Sequence, residues 1–71
     1  MWIVDDDGDM FNTDHYQSIK FRDDYQNGQI VLYDIDYDEV IFILSKDLIK
    51  EERLTRYYNL VEQLTGERID G

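Results

Sequence analysis

Apolar and polar residues alternate over the first two thirds of the chain and change period over the last third. MWIV at 1–4 opens as a short apolar strand, and DDDGD at 5–9 follows as its turn. Asp7-Gly8 is a hairpin signal, because both residue types tolerate positive φ. MFNTDHYQSIKFR carries the chain back, with Ile19 and Phe21 alternating against Lys20 and Arg22. Within it, Asn12-Thr13-Asp14 reads as a turn capped by its own side chains, so a brief irregular piece is expected there. Asn27-Gly28 is a second hairpin signal, and QIVLYDI at 29–35 is a third strand rich in β-branched and aromatic residues. DYDE at 36–39 turns it, and VIFILS at 40–45 is the fourth and most apolar strand. The unbroken V-I-F-I-L run predicts burial on both faces, one against a helix and one against a partner or neighbouring element.

From Ser45 the period becomes helical. Leu54, Tyr57, Tyr58, Val61 and Leu64 fall on one stripe. Ser45 or Asp47 can cap the start, Glu51 and Glu52 suit the early helix dipole, and Glu52 with Arg56 is a favourable i, i+4 pair. Gly66 is a natural C-cap. The pattern predicts a single α+β domain over 1–71. Residues 1–45 form a four-stranded antiparallel β-meander, 46–65 one C-terminal amphipathic helix, and 66–71 a frayed tail. No repeat, linker or low-complexity segment interrupts it.

Size and charge sharpen this picture. A chain of 71 residues buries only roughly 60% of its unfolded surface, so stability is expected to be modest. With no Cys and one His, neither a disulfide nor a thiolate or multi-histidine metal site is available. Oligomerisation is one way to add core, and Trp2 and the tyrosines are interface candidates as well as ordinary core residues. No basic leader with a long apolar stretch opens the chain and no apolar run approaches ~20 residues, so a cytoplasmic protein is expected. The net charge is −10, and eleven acids lie before residue 40 against Lys20 and Arg22 alone. That polarity disfavours direct binding to nucleic acid or to membranes, which both need Lys and Arg, and favours a partner protein with a basic surface.

The stretch Gly8-Asp9-Met10-Phe11-Asn12-Thr13-Asp14, continuing to Ile19, resembles small prokaryotic and phage-borne proteins. In these a first hairpin is followed by Asn-x-Asp, four residues, and the Ile that begins a strand. The layout is shared by flagellar FlbD-like proteins, and it covers about the first third of the chain. Here Phe-Asn-Thr-Asp replaces their Leu-Asn-Pro-Asp, and acid is far more abundant. The resemblance implies a β-meander and a bacterial or phage origin, and carries no activity with it. In overall character the chain is similar to acidic phage inhibitors such as anti-CRISPR proteins.

Candidate chemistry narrows in the same direction. Asp5, Asp7 and Asp9 have the spacing that begins an EF-hand loop, but that loop needs Gly at its sixth position and Glu at its twelfth. Here those positions hold Met10 and Tyr16. Only a partial, low-affinity Ca²⁺ or Mg²⁺ site stays open, and no resident metal or cofactor is expected. The one His, His15, is expected in a polar turn with no Cys to activate, no Gly-rich phosphate loop appears, and no carboxylate is expected to be buried with a raised pKa, so no catalytic residue is assigned. What is left is acid. If residues 34–38 are extended, Asp34, Asp36 and Asp38 project to one side at about 6.6 Å intervals, similar to phosphate spacing along a strand. A meander places the turns at 5–9 and 36–39 at one end of the sheet, where their carboxylates form one acidic edge.

The reading that follows is a non-enzymatic module that binds a basic, nucleic-acid-binding surface of a host defence complex, as a phage or mobile-element inhibitor or DNA mimic. Its expected contacts are Asp5, Asp6, Asp7, Asp9, Asp34, Asp36, Asp38 and Glu39, with Tyr37 as aromatic anchor. The alternative is a bacterial assembly or housekeeping module that interacts through its apolar sheet edge or its helix, as a homodimer or with another protein. The acids then serve only turns and solubility.

Overall fold

A computed structural model describes residues 1–23 and 28–65. Among these described residues, five strands and one long helix follow in order: β1 (Trp2–Val4), β2 (Met10–Asn12), a 3-10 turn (Thr13–His15), β3 (Tyr16–Arg22), β4 (Gln29–Asp34), β5 (Glu39–Phe42) and α1 (Lys50–Thr65). The α+β class with antiparallel strands and a C-terminal helix is as expected. The single meander is not. β1 and β2 form a two-stranded sheet, and β3, β4 and β5 form a separate three-stranded one.

The division comes at the irregular piece anticipated at 12–14. The Asn12 side chain accepts the Asp14 N–H at 3.2 Å, and the Thr13 N–H reaches back to the Met1 carbonyl at 2.9 Å. This turn ends the first hairpin and redirects the chain before β3 begins. The stretch 10–22 therefore supplies one strand to each sheet. A bulge at Gln17, between the pairs Tyr16↔Asp34 and Ser18↔Tyr33, adjusts the register of the second.

The core lies between the two sheets and α1. Ile3 and Phe11 face inward from the small hairpin, Ile30, Leu32 and Phe42 from the larger sheet, with Leu44 and Leu60 completing the cluster. Phe11 packs against Phe42 with ring centroids 5.8 Å apart, and Phe21 against Tyr57 at 5.6 Å. Burial on both faces falls on β4, where Ile30, Val31 and Leu32 are all inaccessible, and not on the V-I-F-I-L run. The reason is position: β4 is central, whereas β5 is an edge strand that ends at Phe42 and leaves Ile43 39% exposed. Val31 points away from the main core. Lys20 and Ile41 flank it, and Arg22 reaches across its strand to Glu39 at 2.8 Å.

The helix starts four residues later than its composition suggests. Ser45 and Asp47 form a turn, with the Leu48 N–H donating to the Ser45 carbonyl. The start is set by Glu52, whose carboxylate accepts the Ile49 N–H at 3.2 Å, the return half of a capping box. Glu52 is thus not paired with Arg56, which goes to Asp6. The buried helical residue is Leu60, with Tyr57 and Leu64 beside it, so the inward stripe is rotated from the one expected. Asn27, Gly66 and the tail 66–71 lie outside the described residues.

Candidate partner-binding surface

Two pentapeptides of the chain, Asp5-Asp6-Asp7-Gly8-Asp9 and Asp34-Ile35-Asp36-Tyr37-Asp38, fold into the same loop. In each, the first Asp carboxylate accepts the N–H of the third residue (3.0 and 2.8 Å) and of the fifth (2.8 and 3.0 Å). The N–H of the fourth residue donates to the first carbonyl, and the first N–H donates to the fifth carbonyl. The fourth residue has positive φ, +87° at Gly8 and +65° at Tyr37. This is the three-residue hairpin loop, a turn followed by one left-handed residue. Asp7 keeps negative φ, so Asp7-Gly8 is not the two-residue turn that the dipeptide suggests. The D-x-D-x-D pattern common to the two stretches is the sequence signal of the shared loop, which the Asp7-Gly8 pair alone does not carry.

The shared geometry removes the extended acidic strip. Residues 34–38 are curled around the Asp34 carboxylate and do not form a ladder of evenly spaced charges. Nor do the two loops make one edge. The 34–38 loop leads into the start of β5, whereas 5–9 docks beyond its far end, where the Asp6 N–H donates to the Ile43 carbonyl at 2.9 Å. With two separate sheets, counting odd and even strands no longer says which turns are neighbours.

The expected contact residues divide accordingly. Asp5 is only 5% exposed, and its carboxylate is occupied by three backbone N–H groups, those of Asp7, Asp9 and Ile43. It builds the loop and ties it to the chain after β5, so it is not open to a partner. Asp6 accepts the Ser45 N–H at 2.8 Å and both terminal nitrogens of Arg56, at 2.5 and 3.2 Å. The Arg56 guanidinium holds its carboxyl below the usual carboxylate value, against desolvation, with the Ser45 N–H helping. Glu39 meets Arg22 and the Tyr33 hydroxyl, and Asp34 is spent on its own loop. Asp7, Asp9, Asp36 and Asp38 are exposed, and among the described residues their carboxylates meet no partner. Tyr37 is 75% exposed beside them, with Ile35 also in solvent.

The start of an EF-hand at Asp5, Asp7 and Asp9 does not gather. Among the described residues, no three carboxylate or imidazole groups are placed to hold an ion. No described helix is long and apolar enough to cross a membrane. A feature beyond the acidic set is the outer face of the small hairpin, where Trp2, Val4 and Met10 stand 52–61% exposed on the opposite side from Ile3 and Phe11. Alternation in MWIV and DMFN carries that signal, because one face of a two-stranded sheet must look outward. Comparison with protein-family models, curated proteins and solved structures finds no match for this chain.

Proposed function

We propose that this protein is a non-enzymatic module that binds a basic protein surface through the tip of the β4–β5 hairpin. The observation that carries the reading is the solvent-facing group Asp36, Tyr37 and Asp38 on the loop held by Asp34, an exposed aromatic residue flanked in the chain by two exposed acids. An acidic tip with one exposed aromatic suits a cationic cleft, where charge steers the encounter and the ring supplies buried area. The cleft that fits best is a nucleic-acid-binding channel, and the role is that of a phage or mobile-element inhibitor of a host defence complex. Asp7 and Asp9 lie away from this tip and contribute by long-range steering.

The test is competition between this protein and nucleic acid for a purified nucleic-acid-guided defence complex. The D36K/D38K double variant should lose inhibition, and the Y37A variant should weaken it by about tenfold, the scale of one aromatic anchor. Inhibition by the parent protein should fade as salt rises to about 0.5 M, where the Debye length is only a few ångströms. Inhibition that survives both the charge reversal and the salt would rule the reading out.

A further inference from the structure

β1 is an edge with an unfinished ladder. The Thr13 N–H donates to the Met1 carbonyl, and the Asp5 N–H to the Asp9 carbonyl. Backbone groups alternate in direction along an antiparallel strand, so odd-numbered residues of β1 face β2 and even-numbered ones face the opposite edge. Trp2 and Val4 thus turn their N–H and C=O groups away from β2, where none of the described residues meets them. That edge borders a groove of about 320 Å³. Phe42 and Leu60 form its apolar floor, and Arg56, Asn59 and Gln63 of α1 form its far wall. The pair Asp6–Arg56 and the Asp6 N–H bond to Ile43 close one end.

We propose that β1 accepts an extended segment of a partner protein, apolar in the middle and flanked by Lys or Arg, as an added strand in the groove between β1 and α1. The shape of the occupant follows from the backbone: free N–H and C=O groups on alternate residues are matched by another strand lying about 4.8 Å away. Successive side chains of that strand fall in turn on the Phe42–Leu60 floor and beside the exposed Trp2 and Val4. The Asn59 and Gln63 carboxamides carry both donors and acceptors for its outer backbone edge. The charge of the occupant follows from the chain, which bears a net −10. A second copy would bring an equal charge into contact, whereas basic flanks are attracted, with Asp7 and Asp9 at the hairpin's end. Natural edges are usually blunted with charge or proline, but this one presents apolar side chains. The site uses none of Asp36, Tyr37 and Asp38, so it stands apart from the acidic tip.

Trp2 is the protein's single tryptophan, which makes its fluorescence a direct readout. The probe is the synthetic peptide Lys-Val-Thr-Val-Thr-Val-Lys, compared with the same peptide N-methylated at alternate amides and with a Glu-flanked version. The parent peptide should shift Trp2 emission to the blue in a saturable way by a concentration on the order of 1 mM. N-methylation, which removes ladder donors, should weaken binding at least about tenfold, and so should Glu flanks. Val4→Lys, at an exposed position on the free edge, should cause a similar loss with the circular dichroism unchanged. Met10→Lys, on the same outer face but on β2, should bind within about twofold of the parent, since only the β1 edge makes the ladder. Equal binding of the N-methylated peptide, or equal loss from Met10→Lys and Val4→Lys, would mean a merely greasy face and overturn the proposal. So would the absence of a saturable shift, or the same Trp2 shift produced by self-association of the protein alone.

Discussion

Tyr37 and Gly8 occupy the same place in two copies of one loop, and they set up an internal comparison of backbone strain. A side chain in the left-handed region costs about 1–2 kcal/mol, whereas glycine enters it freely but has more freedom to lose on folding. Nothing lies within 4 Å of a Cβ built on Gly8, so Gly8→Ala should cost only that strain, about 1 kcal/mol. Tyr37→Gly should instead raise stability by about 0.5–1 kcal/mol. Urea unfolding midpoints of the two variants, moving in opposite directions, check both. Asp6 sets an acid-side expectation. Its carboxyl is depressed in the folded state by Arg56, so its stabilisation is fully present above the unfolded value near 3.8 and is lost as pH falls through the lower folded value. As pH falls below about 4, the parent protein should therefore lose more stability than Asp6→Asn does, in thermal melts stepped downward from there.

At the level of elements, polar side chains do the joining that apolar stripes cannot. Asp5 and Asp34 hold their own loops identically, but only Asp5 is buried and also takes the Ile43 N–H, linking the small hairpin to the end of the large sheet. Asp5→Ala should cost about 3 kcal/mol and Asp34→Ala about 1 kcal/mol, because the first leaves a part-buried donor without its acceptor. Arg53 is the corresponding residue of the helix. Its Nε donates to the Leu48 carbonyl at 2.9 Å, and its two terminal nitrogens to the carbonyls of Gly28 and Ser45 at 3.0 and 2.9 Å. One guanidinium thus fastens the start of α1 to the β3–β4 connection and to the chain after β5. Arg53→Ala should cost about 2–3 kcal/mol, and Arg53→Lys should recover little, since an ammonium cannot span three carbonyls at that spacing. Denaturant melts of the two variants test this. None of these roles was legible in sequence. An Asp in a DDDGD run and an Arg on the polar side of a helical pattern look like surface charges until a distant backbone group is placed beside them.

For the whole molecule, the dominant quantity is charge. A net −10 on 71 residues opposes compaction and favours cationic partners, so salt has two effects of opposite sign. Raising NaCl from about 0.02 to about 0.3 M should increase the melting temperature by a few degrees through screening of self-repulsion. The same change should weaken binding to a basic surface. Scanning calorimetry and a binding titration over one salt series would show the two trends diverging, and a melting temperature that falls with salt would count against net repulsion.

Local pattern alone determined the α+β class, the strands near 2–4, 16–22 and 29–34, the interruption at 12–14 and the helix over most of its length. Those features depend on side-chain alternation, turn residues and period, all of which act within a few positions. Tertiary structure decided what depends on distant partners. It split the expected meander into two sheets, because a 3-10 turn of three residues redirects the chain. It made β4 and not β5 the strand covered on both faces, because centrality in a sheet is a property of neighbours. It also rotated the helical stripe onto Leu60. Finally, it separated the acids: Asp5, Asp6, Asp34 and Glu39 satisfy groups of the fold itself, while Asp7, Asp9, Asp36 and Asp38 remain in solvent. Composition counts these carboxylates alike, and only the placement of N–H groups and guanidiniums around them tells one kind from the other.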